Sequence, residues 1–515
     1  MPPVLHPRRA AFRWSRHLLV PVLLMLVAAA GSGCVSTGVN PVSGNTRAYG
    51  YSWEQEVQLG QEADDQIQSQ YGVYDDEELQ AYVDEVAREV LAESHMRRPD
   101  TQQRFRETEF TFRVLDSPVV NAFALPGGYV YVTRGLLAHL NNEAQLAMVM
   151  GHEIAHVAAR HASQQAARQQ LTQGLLVGGA IAGQVAFGGN VAENVMGLGG
   201  TAAQLLSLSY SRENERESDR LGVEYAVKAG YEGAEGAAFF TSLKRMQQQS
   251  NQSLPTWQSS HPDPGEREDT IVQLAQEWQE RVPGTAQTRN QEAYYGALET
   301  LVLGDNPRQG VTENNTFYHP DLEFQFPTPA GWQVQNQPRQ VAMIAPEQSA
   351  YVVFRFAEGD TPEAAAQNFT GQEGLTVEEQ RSTTVNGRSA YRVLAQAQGQ
   401  QGQTLRVLSY FIADQGQVYQ FQGVTTSGRY GEYRSAFERT MTGFTRLTDP
   451  EKLNVQPTRL AIRSADRRAA FQTFAEGAAM PEGMNATDLA ILNQLDLDTT
   501  VEVGRPLKLP GTGGR

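Results

Sequence analysis

The feature that most constrains this chain is the segment HEIAH at residues 152–156. In an α-helix, residues four apart lie on one face, one turn above the other. Two imidazoles at that spacing can bind one metal ion, and the carboxylate of Glu153 can act beside that ion as a general base. A helix is favoured because Asn141 or Asn142 can cap its start. The alternative is a helix that carries two histidines and no metal.

A third metal ligand is available in the segment YSRENERESDR at residues 210–220. A catalytic zinc ion has three protein ligands and one open position. Glu215 and Asp219 are four residues apart and therefore share a helix face. Glu215 is the candidate third ligand, and Asp219 is the candidate to hold a ligand histidine in position. The alternative is a charged, solvated helix face, a description that fits Glu213 and Glu217.

These segments resemble the M48 family of zinc endopeptidases. The family has counterparts of the HEIAH and SRENERESD segments, of NAFALPGG at residues 121–128, and of the His261-Pro262 pair. The resemblance covers about residues 50–310. The metzincin pattern H-E-x-x-H-x-x-G-x-x-H fails, because position 159 is alanine and a continuous helix would turn His161 away from the first histidine.

The resemblance implies one zinc ion per chain, bound by His152, His156 and Glu215. Glu153 would take a proton from water during peptide hydrolysis. For His261 the resemblance implies a fourth metal ligand in a closed state or a donor to the oxyanion, and a plain surface position is the alternative.

The segment GYVYVT at residues 128–133 alternates like a strand. In this enzyme class an extended substrate is expected to pair with an edge strand beside the metal. This strand, or the strand before it, is the candidate, and Gly127, Gly128 and Tyr129 are the predicted substrate-binding residues. An ordinary core hairpin is the alternative.

The amino-terminal residues 1–33 resemble a bacterial export signal, with four arginines followed by an apolar run at residues 18–30. Cys34, the only cysteine, resembles a lipoprotein lipidation site, and an ordinary cleavage site is the alternative. Lipidation would anchor the protein to a membrane, and Val35 favours the outer membrane. The exported chain therefore has no intrachain disulfide.

Residues 171–208 are apolar and rich in glycine, and membrane members of the family have spanning helices near this place. Glu193 would be costly to bury in lipid. We expect a helical hairpin that covers the active site or rests on a membrane surface, and the alternative is a buried helix pair.

The carboxy-terminal half changes character. Six segments between residues 322 and 425 predict strands and two predict helices, which indicates an α+β domain with an antiparallel sheet, similar to the PsbP and Mog1 type. The end of the chain, with LAILN at residues 489–493 and VGRPLKLP at residues 503–510, resembles a diverged LysM module. LysM modules bind peptidoglycan glycans, and a packing appendage that has lost binding is the alternative.

The 515 residues allow about three domains, and the net charge of −16 argues against a nucleic-acid surface. The predicted fold class is α+β: a mainly helical zincin-type peptidase domain with a small sheet, an antiparallel-sheet domain, and a βααβ module. The predicted divisions are a signal at 1–33, a tether at 34–50, the peptidase domain at 51–310, the α+β domain at 311–447 and the LysM-like module at 448–515.

The predicted function is zinc-dependent hydrolysis of misfolded or unassembled proteins of the cell envelope. The predicted location is the periplasm, as an outer-membrane lipoprotein. The alternative is an envelope chaperone or assembly scaffold, tethered to membrane or peptidoglycan, in which proteolysis is minor. The intact ligand set and general base favour the enzyme.

Overall fold

A computed structural model describes residues 36–178, 205, 210–249, 261–262, 266–372, 374–399 and 402–512. The predicted signal, the lipidation site at Cys34 and most of the predicted hairpin at 171–208 lie outside these residues. Within the described part of the chain, no helix combines the length and the apolar character that crossing a membrane requires.

The first part of the chain is mainly helical around a three-stranded sheet. Its strands are β1 (Ser36–Val39), β2 (Thr46–Tyr49), β3 (Thr111–Leu115), β4 (Ala122–Leu125) and β5 (Tyr129–Thr133). Its helices are α1 (Trp53–Tyr71), α2 (Glu77–Ala92), α3 (Gln103–Arg106), α4 (Arg134–His139), α5 (Glu143–Ala159), α6 (His161–Gly178), α7 (Arg212–Lys228), α8 (Gly236–Gln249), α9 (Arg267–Arg281) and α10 (Gln291–Leu298).

Helices α5 and α7 cross where a glycine of each meets the other backbone. A Cβ atom added to Gly151 would lie 2.9 Å from the carbonyl oxygen of Gly222, and one added to Gly222 would lie 2.9 Å from the backbone nitrogen of His152. Side chains do not tolerate such distances, so the two glycines set how closely these helices approach.

Residues 36–50, predicted as part of a tether, are instead a folded hairpin, and that prediction was wrong. Strands β1 and β2 pair antiparallel. The residue types that suggested a tether form the turn, where the Asn40 side chain accepts from the backbone of Val42 at 3.0 Å and of Ser43 at 2.9 Å. Asn40 also donates to the Ala159 carbonyl at 2.9 Å, and Tyr49 is fully buried, so the hairpin packs on the end of α5.

The next part of the chain is built on antiparallel strands. They are β6 (Val311–Glu313), β7 (Thr316–His319), β8 (Phe324–Pro327), β9 (Gln333–Gln337), β10 (Gln340–Ile344), β11 (Ala350–Phe356), β12 (Leu375–Val385), β13 (Arg388–Gln398), β14 (Thr404–Asp414), β15 (Gln417–Thr426) and β16 (Thr445–Arg446), with helices α11 (Pro362–Thr370) and α12 (Tyr430–Thr442). Seven strands form one sheet in the order β12-β13-β14-β15-β11-β10-β9, and four form another in the order β16-β8-β7-β6.

The two faces of the seven-stranded sheet have separate cores. Phe437 of α12 belongs with Phe354 and Phe421 to one cluster, while Phe369 of α11 belongs with Phe411 to the other. Together with the helical first part, this arrangement confirms the α+β class that the sequence predicted.

The last part of the chain is a small unit with two helices between paired strands. Its elements are α13 (Pro450–Leu453), β17 (Thr458–Ser464), β18 (Ala469–Ala470), α14 (Phe471–Ala475), α15 (Ala486–Leu492), β19 (Thr500–Val501) and β20 (Pro506–Thr512). Strand β17 pairs with β20 and β18 with β19. Leu489 and Leu507 belong to the same hydrophobic cluster as Leu146 and Val149 of α5, so this unit shares the core of the helical part.

A buried lysine connects this unit to the start of α5. Lys508 is fully buried, and its Nζ donates to the carbonyls of Ala138 at 2.5 Å and Leu140 at 2.9 Å. Those carbonyls lie at the end of α4, where a helix terminus leaves carbonyl groups without partners in the helix. Gln494 also donates to the side chain of Gln145 at 2.9 Å.

Candidate metal centre

Helix α5 carries the HEIAH segment through the middle of the core. The side chain of Asn142 caps its start by accepting from the Gln145 backbone at 2.9 Å. All seventeen residues from Glu143 to Ala159 are buried. The helix ends at Arg160, whose φ of 59° is left-handed. A polar segment is thus held in an apolar environment, where a buried charge needs a partner.

Four buried side chains converge in this region. One donor atom each of His152, His156, Glu215 and His261 lies within 4.8 Å of all the others. The Nε2 atoms of the first two histidines are 3.0 Å apart, and each lies 3.5 Å from an oxygen of Glu215. Imidazole nitrogens and a carboxylate oxygen are the donors that divalent transition metals accept, so this set fits a metal ion.

His261 closes the remaining side of the cluster. Its Nδ1 atom lies 3.3 Å from Nε2 of His152 and 3.2 Å from Oε1 of Glu215. It is 1% exposed, which contradicts a plain surface position. In this arrangement His261 stands where a fourth ligand would stand.

The carboxylate of Glu153 lies beside the cluster. Glu153 is fully buried, and within the described residues neither of its oxygens has a hydrogen-bond partner. Its Oε1 is 3.7 Å from Nε2 of His261. Burial raises the pKa of this carboxyl group. Burying a carboxylate without a hydrogen bond costs free energy. The position of Glu153 is therefore suited to binding or deprotonating another group.

The first histidine is held from behind by a carboxylate and an arginine. Nδ1 of His152 lies 3.0 Å from Oδ1 of Asp219, and that oxygen accepts from Arg267 at 2.6 Å. Arg267 also stacks on Phe240, 3.9 Å from the ring centre. Burial lowers the pKa of His152, but hydrogen bonds to Asp219 and Glu215 outweigh it and raise the pKa to about 9. The sequence did not single out Arg267, because no local pattern connects it to Asp219.

The second histidine is held by a different set of residues. Nδ1 of His156 lies 3.0 Å from Nδ1 of His161, and Nε2 of His161 lies 3.1 Å from Oε2 of Glu217. Both residues were given no role by the sequence. A continuous helix would have turned His161 away, but the left-handed Arg160 ends α5 and begins α6 in a new direction. Glu217 was assigned to the solvated face, and its side chain is only 18% exposed.

Tyr210 is a further residue of the site that the sequence did not reveal. Its ring lies 4.0 Å from the ring of His156, and it also contacts His161 and His261. Burial raises the pKa of its hydroxyl. Tyr210 directly precedes the capping Ser211 of α7, and that adjacency is a weak signal in sequence.

The predicted substrate residues Gly127, Gly128 and Tyr129 are not part of the cluster of candidate metal ligands, and their role in substrate binding stays a prediction. The glycines form the turn between β4 and β5, with φ of 82° and 102°, and pack against backbone atoms of Glu56 and Glu109. Tyr129 begins β5, which is the central strand of the order β3-β5-β4 and is paired on both sides.

The strand before it, β4, lies at the edge of the sheet. A small pocket connects this edge to the metal centre. Its lining includes Ala124 and Leu125 of β4 together with His156 and Tyr210. The sequence left two candidates for substrate pairing, the GYVYVT strand and the strand before it. The strand order is compatible with the second of these, which is β4.

Two helices that present H-E-x-x-H and a distal glutamate around one cluster are typical of metallopeptidases. Residues 76–275 match the family model described as peptidase family M48, so this part of the chain is an M48 peptidase domain.

Curated relatives support this assignment. The chain is 30% identical over 220 residues to a putative beta-barrel assembly-enhancing protease of Vibrio cholerae, covering 42% of this chain and 43% of the relative. It is 25% identical over 307 residues to the beta-barrel assembly-enhancing protease of Escherichia coli, covering 58% and 60%. It is 35% identical over 156 residues to the mitochondrial metalloendopeptidase OMA1 of Danio rerio, covering 30% and 33%. The matches thus span about a third to three fifths of these relatives.

Solved structures similar to parts of this chain include a cyanobacterial PsbP from Synechocystis and the Ran-binding protein Mog1p of Saccharomyces cerevisiae. The first is 12% identical and covers 25% of this chain and 91% of its own, and the second is 8% identical and covers 27% and 97%. Both have a TM-score of 0.21.

Proposed function

We propose that this protein is a zinc-dependent endopeptidase, with one zinc ion per chain held by His152, His156 and Glu215. The observation that carries this proposal is the convergence of these three side chains beside the buried carboxylate of Glu153, which has no hydrogen bond to any described residue. Two imidazoles and one carboxylate are the ligand set of many catalytic zinc sites.

The chemistry divides between the ion and the chain. When bound, zinc supplies a Lewis acid that polarises the peptide carbonyl and increases the acidity of a water molecule. Glu153 accepts the proton as the water attacks, and then delivers it to the leaving amine. Asp219 accepts a hydrogen bond from Nδ1 of His152, which leaves Nε2 of that ring for the metal.

His261 has two roles in this proposal. It lies within 3.3 Å of two candidate ligand atoms, which supports a role as the fourth ligand in a closed state. Substrate can reach the metal only after His261 has moved away. Once displaced, its imidazole would be the candidate donor to the oxyanion of the reacting carbonyl.

The proposed substrates are misfolded or unassembled proteins of the cell envelope. An unfolded chain would pair with β4, the strand at the edge of the order β3-β5-β4, because backbone pairing does not depend on sequence. The names of the Vibrio and Escherichia relatives connect those proteins to beta-barrel assembly, which supports an envelope substrate. We propose a periplasmic enzyme that is anchored through Cys34 to the outer membrane. A binding assay with purified peptidoglycan tests whether its LysM-like unit binds glycan.

The experiment compares metal content and casein cleavage in purified wild type, Glu153→Gln and His152→Ala. We expect the wild type to hold one zinc ion and to cleave casein. Glu153→Gln should keep zinc and lose roughly 10²–10⁴-fold in turnover, the usual contribution of a general base. His152→Ala should lose the metal. Glu213→Gln, on an exposed position of the same ligand helix α7, is the matched control and should match the wild type.

Casein cleavage by Glu153→Gln at the wild-type rate would remove Glu153 from the mechanism. A wild type without tightly bound metal would remove the proposal as a whole. A cellular function that survives Glu153→Gln would favour the scaffold over the protease.

A further inference from the structure

A continuous series of hydrogen-bonding groups runs from His156 to the amino-terminal hairpin. It passes from Nδ1 of His156 to His161 at 3.0 Å, and from His161 to Glu217 at 3.1 Å. Glu217 accepts from both terminal nitrogens of Arg47, at 3.1 and 3.2 Å. His161, Glu217 and Arg47 are called the outer relay below. Arg47 lies on β2, more than 100 residues before the metal ligands.

The protons of this series can be assigned without charging either imidazole. If Nε2 of His156 binds the metal, its ring proton is on Nδ1 and is donated to Nδ1 of His161. The proton of His161 is then on Nε2 and is donated to Glu217. The hydroxyl of Ser218, 3.3 Å from Nδ1 of His161, can rotate and does not change this order.

The fold brings the three residues together by two local devices. The left-handed Arg160 starts α6 in a direction that points His161 back toward His156. The hairpin then places Arg47, opposite Gly38, against the ligand helix α7.

We propose that the outer relay positions the metal ligand His156. Through Arg47, the amino-terminal hairpin would thereby contribute to metal binding. The relay fixes which nitrogen of His156 faces the metal and the orientation of its ring. This inference rests on the proposed function, because it requires that His156 bind a metal ion. Partners of this kind typically alter metal affinity by about 10–100-fold when removed.

The test measures the zinc dissociation constant by chelator competition, and the visible spectrum of the cobalt-substituted protein, in the full chain. Glu217→Gln should weaken zinc binding by about tenfold or more, because the acceptor of the His161 proton loses its charge. Arg47→Met should weaken it by about fivefold, since this pair is partly exposed. Both variants should change the cobalt spectrum, which reports ligand geometry.

His161 is tested with a rescue. His161→Phe retains the ring volume and removes the acceptor, and should weaken zinc binding by about 10–100-fold. His161→Gln offers a side-chain oxygen to Nδ1 of His156, and should recover part of the loss. If the ring of His161 served only to fill space, His161→Phe would bind zinc more tightly than His161→Gln.

The matched control is Arg98→Met, which removes an arginine from Glu224 on the same helix α7, two turns beyond Glu217. The exposed fractions are 33% for Arg98 and 29% for Arg47, so the substitutions are comparable. Arg98→Met should leave the zinc constant and the cobalt spectrum unchanged.

Failure of the relay and failure of the proposed function give different results. A wild type that binds no zinc overturns both. A wild type that binds zinc and cleaves casein, with Arg47→Met and Glu217→Gln binding zinc as tightly as Arg98→Met, overturns the relay alone. Weaker binding in all three variants equally also overturns it, because the effect would then be one of general stability.

Discussion

The two ends of the described chain pack against opposite ends of the same helix, α5, and they do so in different ways. The amino-terminal hairpin meets the end of α5 through polar groups, such as Asn40 on the Ala159 carbonyl and Arg47 on Glu217. The carboxy-terminal unit meets its start through an apolar core and the buried Lys508.

This difference separates two tasks. Besides the buried Asn40 and Tyr49, the hairpin contributes the charged, partly exposed contact of Arg47 with Glu217. A contact of this kind has a small effect on folding, but it can orient a metal ligand. The carboxy-terminal unit contributes fully buried apolar side chains such as Leu489, and these dominate stability. We therefore expect substitutions in the hairpin to change metal binding, and substitutions in the carboxy-terminal unit to change the free energy of unfolding.

The largest expected effect is that of Leu489→Ala in α15. This side chain is fully buried in the shared core, so the cavity should cost about 2–5 kcal/mol of unfolding free energy. Val503→Ala is the matched control at a position that is 66% exposed, and should stay within about 0.5 kcal/mol of the wild type. Denaturant unfolding measures both. A loss of zinc affinity in the folded variant would contradict the separation of tasks.

The next effect is a pH dependence that Lys508→Met should remove. Burial lowers the pKa of Lys508 well below its ordinary value of 10.5. Between the lowered pKa and 10.5, the unfolded chain binds a proton that the folded chain does not, so stability rises with pH and is lost as the pH falls. The slope can reach about 1.4 kcal/mol per pH unit.

Unfolding free energies of wild type and Lys508→Met, measured from pH 7 to 9, test this expectation. The difference between the two proteins should change with pH, because every other titrating group is common to both. A constant difference would mean that Lys508 keeps its ordinary proton affinity when buried.

The smallest effects are expected in the hairpin. The Arg47–Glu217 pair is 29% and 18% exposed, so Arg47→Met should lower the unfolding free energy of the metal-free protein by less than about 1 kcal/mol. Raising the salt from 0.1 to 1 M shortens the screening length from about 10 to about 3 Å, and should narrow the difference in zinc affinity between wild type and Arg47→Met. If Arg47→Met lowered the unfolding free energy as much as Leu489→Ala, the hairpin would contribute to stability as the carboxy-terminal unit does, and the distinction between them would fail.

The metal cluster was predictable because its signal is local. The four-residue spacing of His152 and His156, and of Glu215 and Asp219, is a property of a single helix turn. That Glu215 meets the histidines depends on a helix crossing, and here the resemblance to a family supplied what periodicity could not. The divisions at 310 and 447 remain predictions.

What the sequence missed depends on long-range geometry. Arg267 reaches Asp219 from another helix, and His161 was misjudged because nothing in the sequence marked Arg160 as left-handed. An alternation of apolar and polar residues also does not predict the order of strands in the small sheet, which has β5 in the centre. Strand β12 was overlooked because it is an edge strand with mostly exposed, polar side chains.

The crossing of Gly151 and Gly222 has a consequence for which ions the protein can accept. Because two backbones touch there, the distance between the helices is set by the absence of a methyl group two turns away from Glu215. Gly222→Ala would move the carboxylate outward from both imidazoles and enlarge the space that they enclose. Selection among ions of different radius could thus be altered at a residue that touches no ion.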